Sequence, residues 1–78
     1  MSFKDLIQTI AVELVDHPEK VVVSEVAGDN SCVVELRVAK EDIGKVIGKE
    51  GRTAQSMRTI LTALSAKVGR RAHLDIID

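Results

Sequence analysis

Hydrophobic residues recur along this chain with two different periods, and each change of period marks a new structural element. From Phe3 to Leu14 they return every three or four positions, which predicts an amphipathic helix with one buried face. Ser2 precedes this run as a polar cap, and Pro18 prevents its continuation. We therefore expect the first helix to end near Val15 or Asp16.

Two runs rich in β-branched residues follow and predict a β-hairpin. The first extends from Val21 to Val26, and its register is open because either face of that strand would be apolar. A turn composition at residues 27–30 separates it from a second strand with clear alternation. The residues predicted to face inward on the second strand are Cys32, Val34, Leu36 and Val38.

The second half of the chain predicts two helices and a third strand. A short helix opens with the acidic Glu41 and Asp42, which suit the positive end of a helix dipole. A longer helix follows and ends at Gly69 as a C-cap. The apolar residues predicted to face the core are Ile43, Val46 and Ile47 on the short helix, Ala54, Met57, Leu61, Leu64 and Val68 on the long one, and Ala72, Leu74 and Ile76 in a last strand over residues 70–77.

The element order α-β-β-α-α-β predicts an α+β fold. The first two strands pair antiparallel through their short turn, and the two-helix crossover allows the third strand to lie parallel to a neighbour. We expect a three-stranded mixed sheet with three helices packed on one face. With 78 residues, the chain is expected to form a single domain over residues 1–78.

A glycine-bracketed turn between the two later helices is the strongest functional signal. Gly48 and Gly51 enclose Lys49 and Glu50, and Arg52 follows at the start of the long helix. Glycine permits positive φ and leaves no Cβ in the way of an approaching group. The opening amides of a helix attract anions, so a phosphate is the natural ligand of this turn.

The stretch from Val46 to Ala54, with its GXXG turn between an apolar pair and an amphipathic helix, resembles the core signature of KH domains. The whole chain is similar to the small stand-alone bacterial KH proteins of the KhpA type, with the type II element order. The resemblance implies a domain that clamps single-stranded RNA, or single-stranded DNA, through its GXXG turn. It also implies an RNA chaperone or post-transcriptional regulator connected with bacterial growth and cell shape.

The expected nucleic-acid site is built around this turn. Gly48 and Gly51 would let the sugar-phosphate chain lie against the backbone, with the amides near Gly51 and Arg52 donating to phosphate oxygens. Lys49 and Arg52 would add positive charge at the rim, whereas Glu50 would point to water. Lys45 is a further basic residue of this site. Three apolar residues either line the groove or belong to the core: Ile43, Val46 and Ile47. Val34 and Leu36 have the same two possible roles.

Charge is distributed unevenly along the chain and agrees with this site. The first 39 residues carry three basic and seven acidic side chains, whereas residues 40–71 carry eight basic and three acidic ones. The segment that holds the glycine turn is therefore the basic one, as phosphate binding requires. Uneven halves also occur in small proteins that bind no nucleic acid.

Composition excludes several other functions. The chain has no Trp or Tyr, so base recognition by aromatic stacking is not available. Its glycines match neither a dinucleotide-binding fingerprint nor a P-loop, and His17 and His73 lie apart from other metal ligands. We expect no enzyme activity, no cofactor, no metal and no membrane segment. A single Cys32 agrees with a cytoplasmic protein.

The long helix also predicts a protein interface. Ile60 lies at the border of its apolar face, flanked by the small side chains of Ser56 and Ala63. Ile60 could serve its own core or contact another helix. The resemblance favours contact, because KhpA-type proteins self-associate and pair with a second KH-containing protein. An alternative function is an adaptor that docks a protein through this helix and binds little RNA.

Overall fold

The computed structural model describes residues 2–77 and contains the elements that the hydrophobic pattern predicts. In chain order they are α1 (Phe3–Leu14), β1 (Val22–Ala27), β2 (Ser31–Arg37), α2 (Ile43–Ile47), α3 (Arg52–Val68) and β3 (Arg71–Ile77). Short 3-10 turns occur at Pro18–Lys20, Lys40–Asp42 and Lys49–Gly51. The predicted α-β-β-α-α-β order is confirmed.

The three strands form one mixed sheet in the order β1-β2-β3, with β2 in the centre. β1 pairs with β2 antiparallel, with Val23 opposite Leu36. β3 pairs with β2 in parallel, with Leu36 opposite Ile76. The α+β prediction of a hairpin followed by a parallel third strand is therefore confirmed.

The helices pack on one face of this sheet and enclose the core. α1 contacts β1 and β2, α3 contacts β3, and α2 contacts α3. Side chains with no exposed surface include Ile7, Val34, Leu36, Val46 and Leu61. On β1, Val23 is buried whereas Val22 and Val26 are exposed, which settles the register that the sequence left open. The opposite face of the sheet is therefore uncovered by any described helix.

Cys32 lies in the central strand, opposite Ala27 on one side and Ala72 on the other. Its side chain is buried among core residues, and its thiol forms no disulfide. Burial raises the pKa of the Cys32 thiol, with a further contribution from the negative charge of Glu25, because both disfavour the thiolate.

The ends of the two long helices follow the predicted capping residues. Ser2 Oγ accepts a hydrogen bond from Asp5 N at 3.0 Å, and α1 ends at Leu14 before Pro18. Gly69 adopts the left-handed conformation at φ 71° and ends α3, as expected of a C-cap glycine.

The inward position predicted for Val68 is wrong. Its side chain is 60% exposed because it is the last residue of α3 and lies beyond the fully buried part of the helix. It lines a small apolar cleft of about 200 Å³ between α1 and α3, together with Phe3, Leu6 and Leu64.

None of the helices in the described chain has both the length and the apolar character that crossing a membrane requires. Across residues 2–77, His, Cys, Asp and Glu side chains form no group of three or more that could hold a metal ion.

We predict that Leu36→Ala lowers the free energy of unfolding by about 2–5 kcal/mol, because truncation leaves a cavity in the middle of the sheet. Val22→Ala is the matched control on the exposed face of the neighbouring strand, and should change stability by about 0.5 kcal/mol or less. Urea denaturation measures both. Equal effects of the two substitutions would contradict the assignment of Leu36 to the core.

Candidate nucleic-acid interface

The glycine turn joins α2 to α3 through a single 3-10 turn. Gly48 ends α2, where its amide donates to the carbonyl of Gly44 at 2.9 Å. Three residues of the turn have positive φ: Gly48 at 79°, Glu50 at 56° and Gly51 at 74°. The chain thus reverses direction within four residues, and this sharp reversal places the turn at the mouth of α3.

Gly48 has no room for a side chain. A Cβ at this position would lie 2.6 Å from Thr53 Cβ and 2.9 Å from Thr53 N, and would also overlap the Thr53 hydroxyl. Thr53 lies in the first turn of α3. Glycine at position 48 is therefore required by the close approach of the turn to α3, whether or not a ligand is present.

Gly51 is required for a different reason. Its backbone is left-handed, at φ 74° and ψ 12°, yet a Cβ there would meet no atom within 4 Å. The space beside Gly51 is open, so a ligand can approach the backbone at this position.

The amides of the turn are only partly available. The Gly51 amide donates to the Gly48 carbonyl at 3.1 Å, and the Arg52 amide donates to the Lys49 carbonyl. Phosphate donors were expected among the amides near Gly51 and Arg52, and the 3-10 turn already provides acceptors for these two. The amides of Lys49 and Glu50 precede the Gly51 amide, which makes the first hydrogen bond of this turn, so we take these two amides as the candidate donors to a ligand.

Charge at the rim is lower than the sequence indicated. Arg52 Nη2 lies 3.2 Å from Glu50 Oε2, and both side chains are well exposed. An exposed ion pair is weak, contributing at most about 1 kcal/mol, so an incoming phosphate can replace the carboxylate. Lys49 is exposed beside them.

Lys45 points away from the turn. Its Nζ lies 3.2 Å from Asp16 Oδ2, at the end of α1, and 3.6 Å from Asp42 Oδ1. The hydrogen bond and negative charge of Asp16, supported by Asp42, raise the pKa of Lys45. The structure thus gives Lys45 two carboxylate partners within the protein.

Asp42 has a role that the sequence analysis did not identify. Its carboxylate has no exposed surface and accepts hydrogen bonds from the amides of Asp16 (3.2 Å) and His17 (3.0 Å). Burial alone would raise the pKa of Asp42, but these two amides and the charges of His17 and Lys45 outweigh it, and the pKa is lowered. The expected dipole role does not explain a buried carboxylate. The spacing of three residues between Asp42 and Lys45 was a signal in the sequence for their ion pair.

The apolar residues near the turn divide into core and surface. Val46 has no exposed surface and belongs to the core, as do Val34 and Leu36. Ile43 is half-buried, and Ile47 is 38% exposed rather than inward-facing as predicted. Ile47 projects from the end of a five-residue helix, where the core no longer covers it. It offers apolar surface directly before the turn.

Basic residues beyond the turn are dispersed. Arg58 Nη2 donates to the Leu74 carbonyl at 3.5 Å, so the Arg58 side chain contacts β3. Arg70 and Arg71 line an open cleft of about 790 Å³ at the far end of α3, together with Asp29. The basic surplus of the second half is therefore not one continuous patch.

The outer face of α3 carries the predicted interface residues. Ser56, Ile60 and Ala63 are all exposed, and their spacing of four and three residues places them on the same side of the helix. Ile60 exposes 43% of its surface and is a large apolar residue in this position.

Comparisons with known proteins agree with these features. A sequence profile described as KhpA/KhpB, KH domain matches residues 4–76. The RNA-binding protein KhpA of Aquifex aeolicus is 48% identical over 77 residues, covering 99% of this chain and 98% of the relative. The RNA-binding protein KhpA of Clostridium acetobutylicum is 51% identical over 74 residues, covering 95% of this chain and 99% of the relative.

A solved structure shares the fold at lower identity. The structure of Era in complex with MgGDPNP and part of 16S ribosomal RNA aligns with a TM-score of 0.63 and 21% identity. The alignment covers 95% of this chain and 28% of that protein. At this identity the likeness concerns the fold alone.

We predict that Gly48→Ala destabilises the protein more than Gly51→Ala. Gly51→Ala places a side chain in open space and costs the left-handed backbone penalty of about 1–2 kcal/mol. Gly48→Ala adds an overlap with Thr53 to a similar penalty. Urea denaturation of the two variants measures the difference, and equal losses would show that the α2–α3 approach has no steric role.

Proposed function

Because the chain belongs to the KhpA/KhpB family of KH domains, we propose that it binds single-stranded RNA through the turn at residues 48–51. The relatives named above are called RNA-binding proteins. The observation that carries the proposal is the open space beside the Gly51 backbone, where an added Cβ would meet no atom within 4 Å. We assign the function to one KH domain that comprises residues 1–78.

In the proposed complex, the RNA backbone lies against the turn between Gly48 and Gly51. The amides of Lys49 and Glu50 donate to phosphate oxygens, and Lys49 adds its charge. Arg52 exchanges Glu50 for a phosphate, which is supported by the exposure of both partners.

Bases would lie along the exposed apolar surface before the turn. Ile47 and the half-buried Ile43 provide that surface. Val46 supports them from the core, and Lys45 holds α2 to α1. Recognition by these aliphatic contacts is expected to be loosely specific, and the same surface would accept single-stranded DNA.

The affinity of a lone domain is expected to be low. Two or three phosphate contacts give a salt dependence with a slope of about −1.4 to −2.1 for log K against log salt. A protein of this size gains affinity by presenting two such sites on one RNA.

We also propose that the protein acts as a dimer, either with itself or with a second KH-containing protein, through the outer face of α3. The large exposed surface of Ile60 between the small side chains of Ser56 and Ala63 supports close helix packing. In this form we expect it to act in the cytoplasm as an RNA chaperone or post-transcriptional regulator with no catalytic activity, in processes such as the control of cell shape.

The exposed Ile60 also supports a second candidate, an adaptor that docks a protein through α3 and binds little RNA. The two functions predict different effects of substitutions in the turn at residues 48–51. Loss of RNA binding without loss of self-association supports the RNA-binding function. Substitutions in the turn would be silent in an adaptor.

We predict that Gly51→Asp weakens RNA binding about tenfold or more, because a carboxylate would lie beside the phosphates. Gly51→Asn is the matched control, since it has nearly the same size and the same left-handed strain without the charge. Fluorescence anisotropy with a labelled RNA octamer of random sequence measures both affinities, and circular dichroism checks that both variants fold. Equal binding by the two variants and by the native protein would refute the clamp.

We predict that Ile60→Tyr dissociates the proposed dimer, because the larger ring disrupts close packing between helices. Gln55→Tyr is the control, since Gln55 is exposed on a different side of α3. Size-exclusion chromatography with light scattering reports the mass of each variant. An unchanged mass for Ile60→Tyr, or an equal loss with Gln55→Tyr, would contradict this interface.

A further inference from the structure

The helix that carries the turn cannot determine its own position. α2 has five residues, which is too short for an independently stable helix. Val46 is its fully buried side chain. The orientation of α2 therefore depends on what holds its two ends.

Its second end is held by the contact already described, where Gly48 approaches Thr53 in α3. Its first end is held by Asp42. The Asp42 carboxylate accepts from two consecutive amides, those of Asp16 and His17, in the segment that follows α1. One buried side chain thus joins the end of α1 to the start of α2.

Surrounding charges stabilise the ionised form of this carboxylate. Lys45 Nζ bridges Asp42 Oδ1 and Asp16 Oδ2 at 3.6 and 3.2 Å. The imidazole of His17 lies 3.7 Å from Glu41 and 3.8 Å from Glu19. His17 and Lys45 favour the Asp42 carboxylate through their positive charge. The carboxylates of Asp16, Glu19 and Glu41 contact these two groups.

We propose that Asp42 is a positioning residue for the RNA clamp: it sets α2, and through α2 the turn at residues 48–51, against α3. The inference rests on the proposed RNA-binding function and assigns to Asp42 no contact with RNA. Without the carboxylate, two amides lose their acceptor and the start of α2 is released from α1. The turn then loses its fixed orientation although Gly48 and Gly51 are intact.

Asp42→Asn tests the proposal, because it keeps the size of the side chain and removes its charge and one acceptor oxygen. Asp29→Asn is the matched control, since Asp29 is exposed in the β1–β2 turn and the change in net charge is the same. Affinity for the random RNA octamer is measured at a temperature where each variant is folded, and is corrected for the folded fraction.

We expect Asp42→Asn to weaken RNA binding about tenfold per folded molecule and Asp29→Asn to leave it within about twofold. In amide NMR spectra without RNA, Asp42→Asn should shift the resonances of Lys49, Glu50 and Gly51. Native affinity per folded molecule would overturn the proposal and leave Asp42 a purely structural residue. The native protein and Gly51→Asp are measured in the same assay, so a failure of the proposed function itself is recognised separately.

A second test uses the native protein alone, because RNA binding and ionisation of Asp42 must affect each other equally if they are coupled. If the ionised carboxylate favours the binding-ready turn tenfold, RNA binding must lower the pKa of Asp42 by about one unit. The negative charge of the phosphates alone would raise it. Carboxyl carbon shifts of the native protein, recorded against pH with and without a uridine octamer, distinguish the two signs. A raised or unchanged pKa in the complex would refute the positioning role.

Discussion

The close approach of Gly48 to the first turn of α3 is the constraint on which the proposed interface depends. Two helices meet there with no side chain between them, because a Cβ at position 48 would overlap Thr53. The chain then reverses within the four residues of the turn, with positive φ at Gly48, Glu50 and Gly51. Left-handed geometry costs Glu50 about 1–2 kcal/mol. The result is an exposed length of backbone that a polynucleotide can approach.

Ion pairs within the protein reduce the positive charge that the proposed RNA site can offer. The second half of the chain has a clear excess of basic residues, yet two of these residues are paired with carboxylates of the same chain. Lys45 pairs with Asp16 and Asp42, and Arg52 pairs with Glu50. The net positive charge at the turn is therefore smaller than the sequence count indicates.

The fold could be predicted from the sequence because its signals are local. Periodicity defined the helices and strands, Ser2 and Gly69 gave two helix ends, and the short link between β1 and β2 required a hairpin. Errors occurred at the ends of helices, where Ile47 and Val68 follow the correct period but extend beyond the core.

The details of the site depend on contacts between distant segments and could not be predicted in the same way. Asp42 accepts from amides 25 and 26 residues earlier in the chain, and no local pattern shows this. Likewise, the steric need for glycine at position 48 comes from Thr53, and that contact is seen only when the positions of α2 and α3 are known. The internal bonding of the Gly51 and Arg52 amides follows from a 3-10 turn that composition does not reveal.

The buried thiol of Cys32 can be used to measure how often the sheet opens. The thiol lies in the central strand with 1% exposure, and its raised pKa keeps it in the unreactive form. An alkylating reagent can therefore modify it when β2 separates from its neighbours, and the rate of modification under native conditions measures how often the sheet opens. A dye attached to a cysteine introduced on the surface would leave this internal thiol untouched in the folded protein.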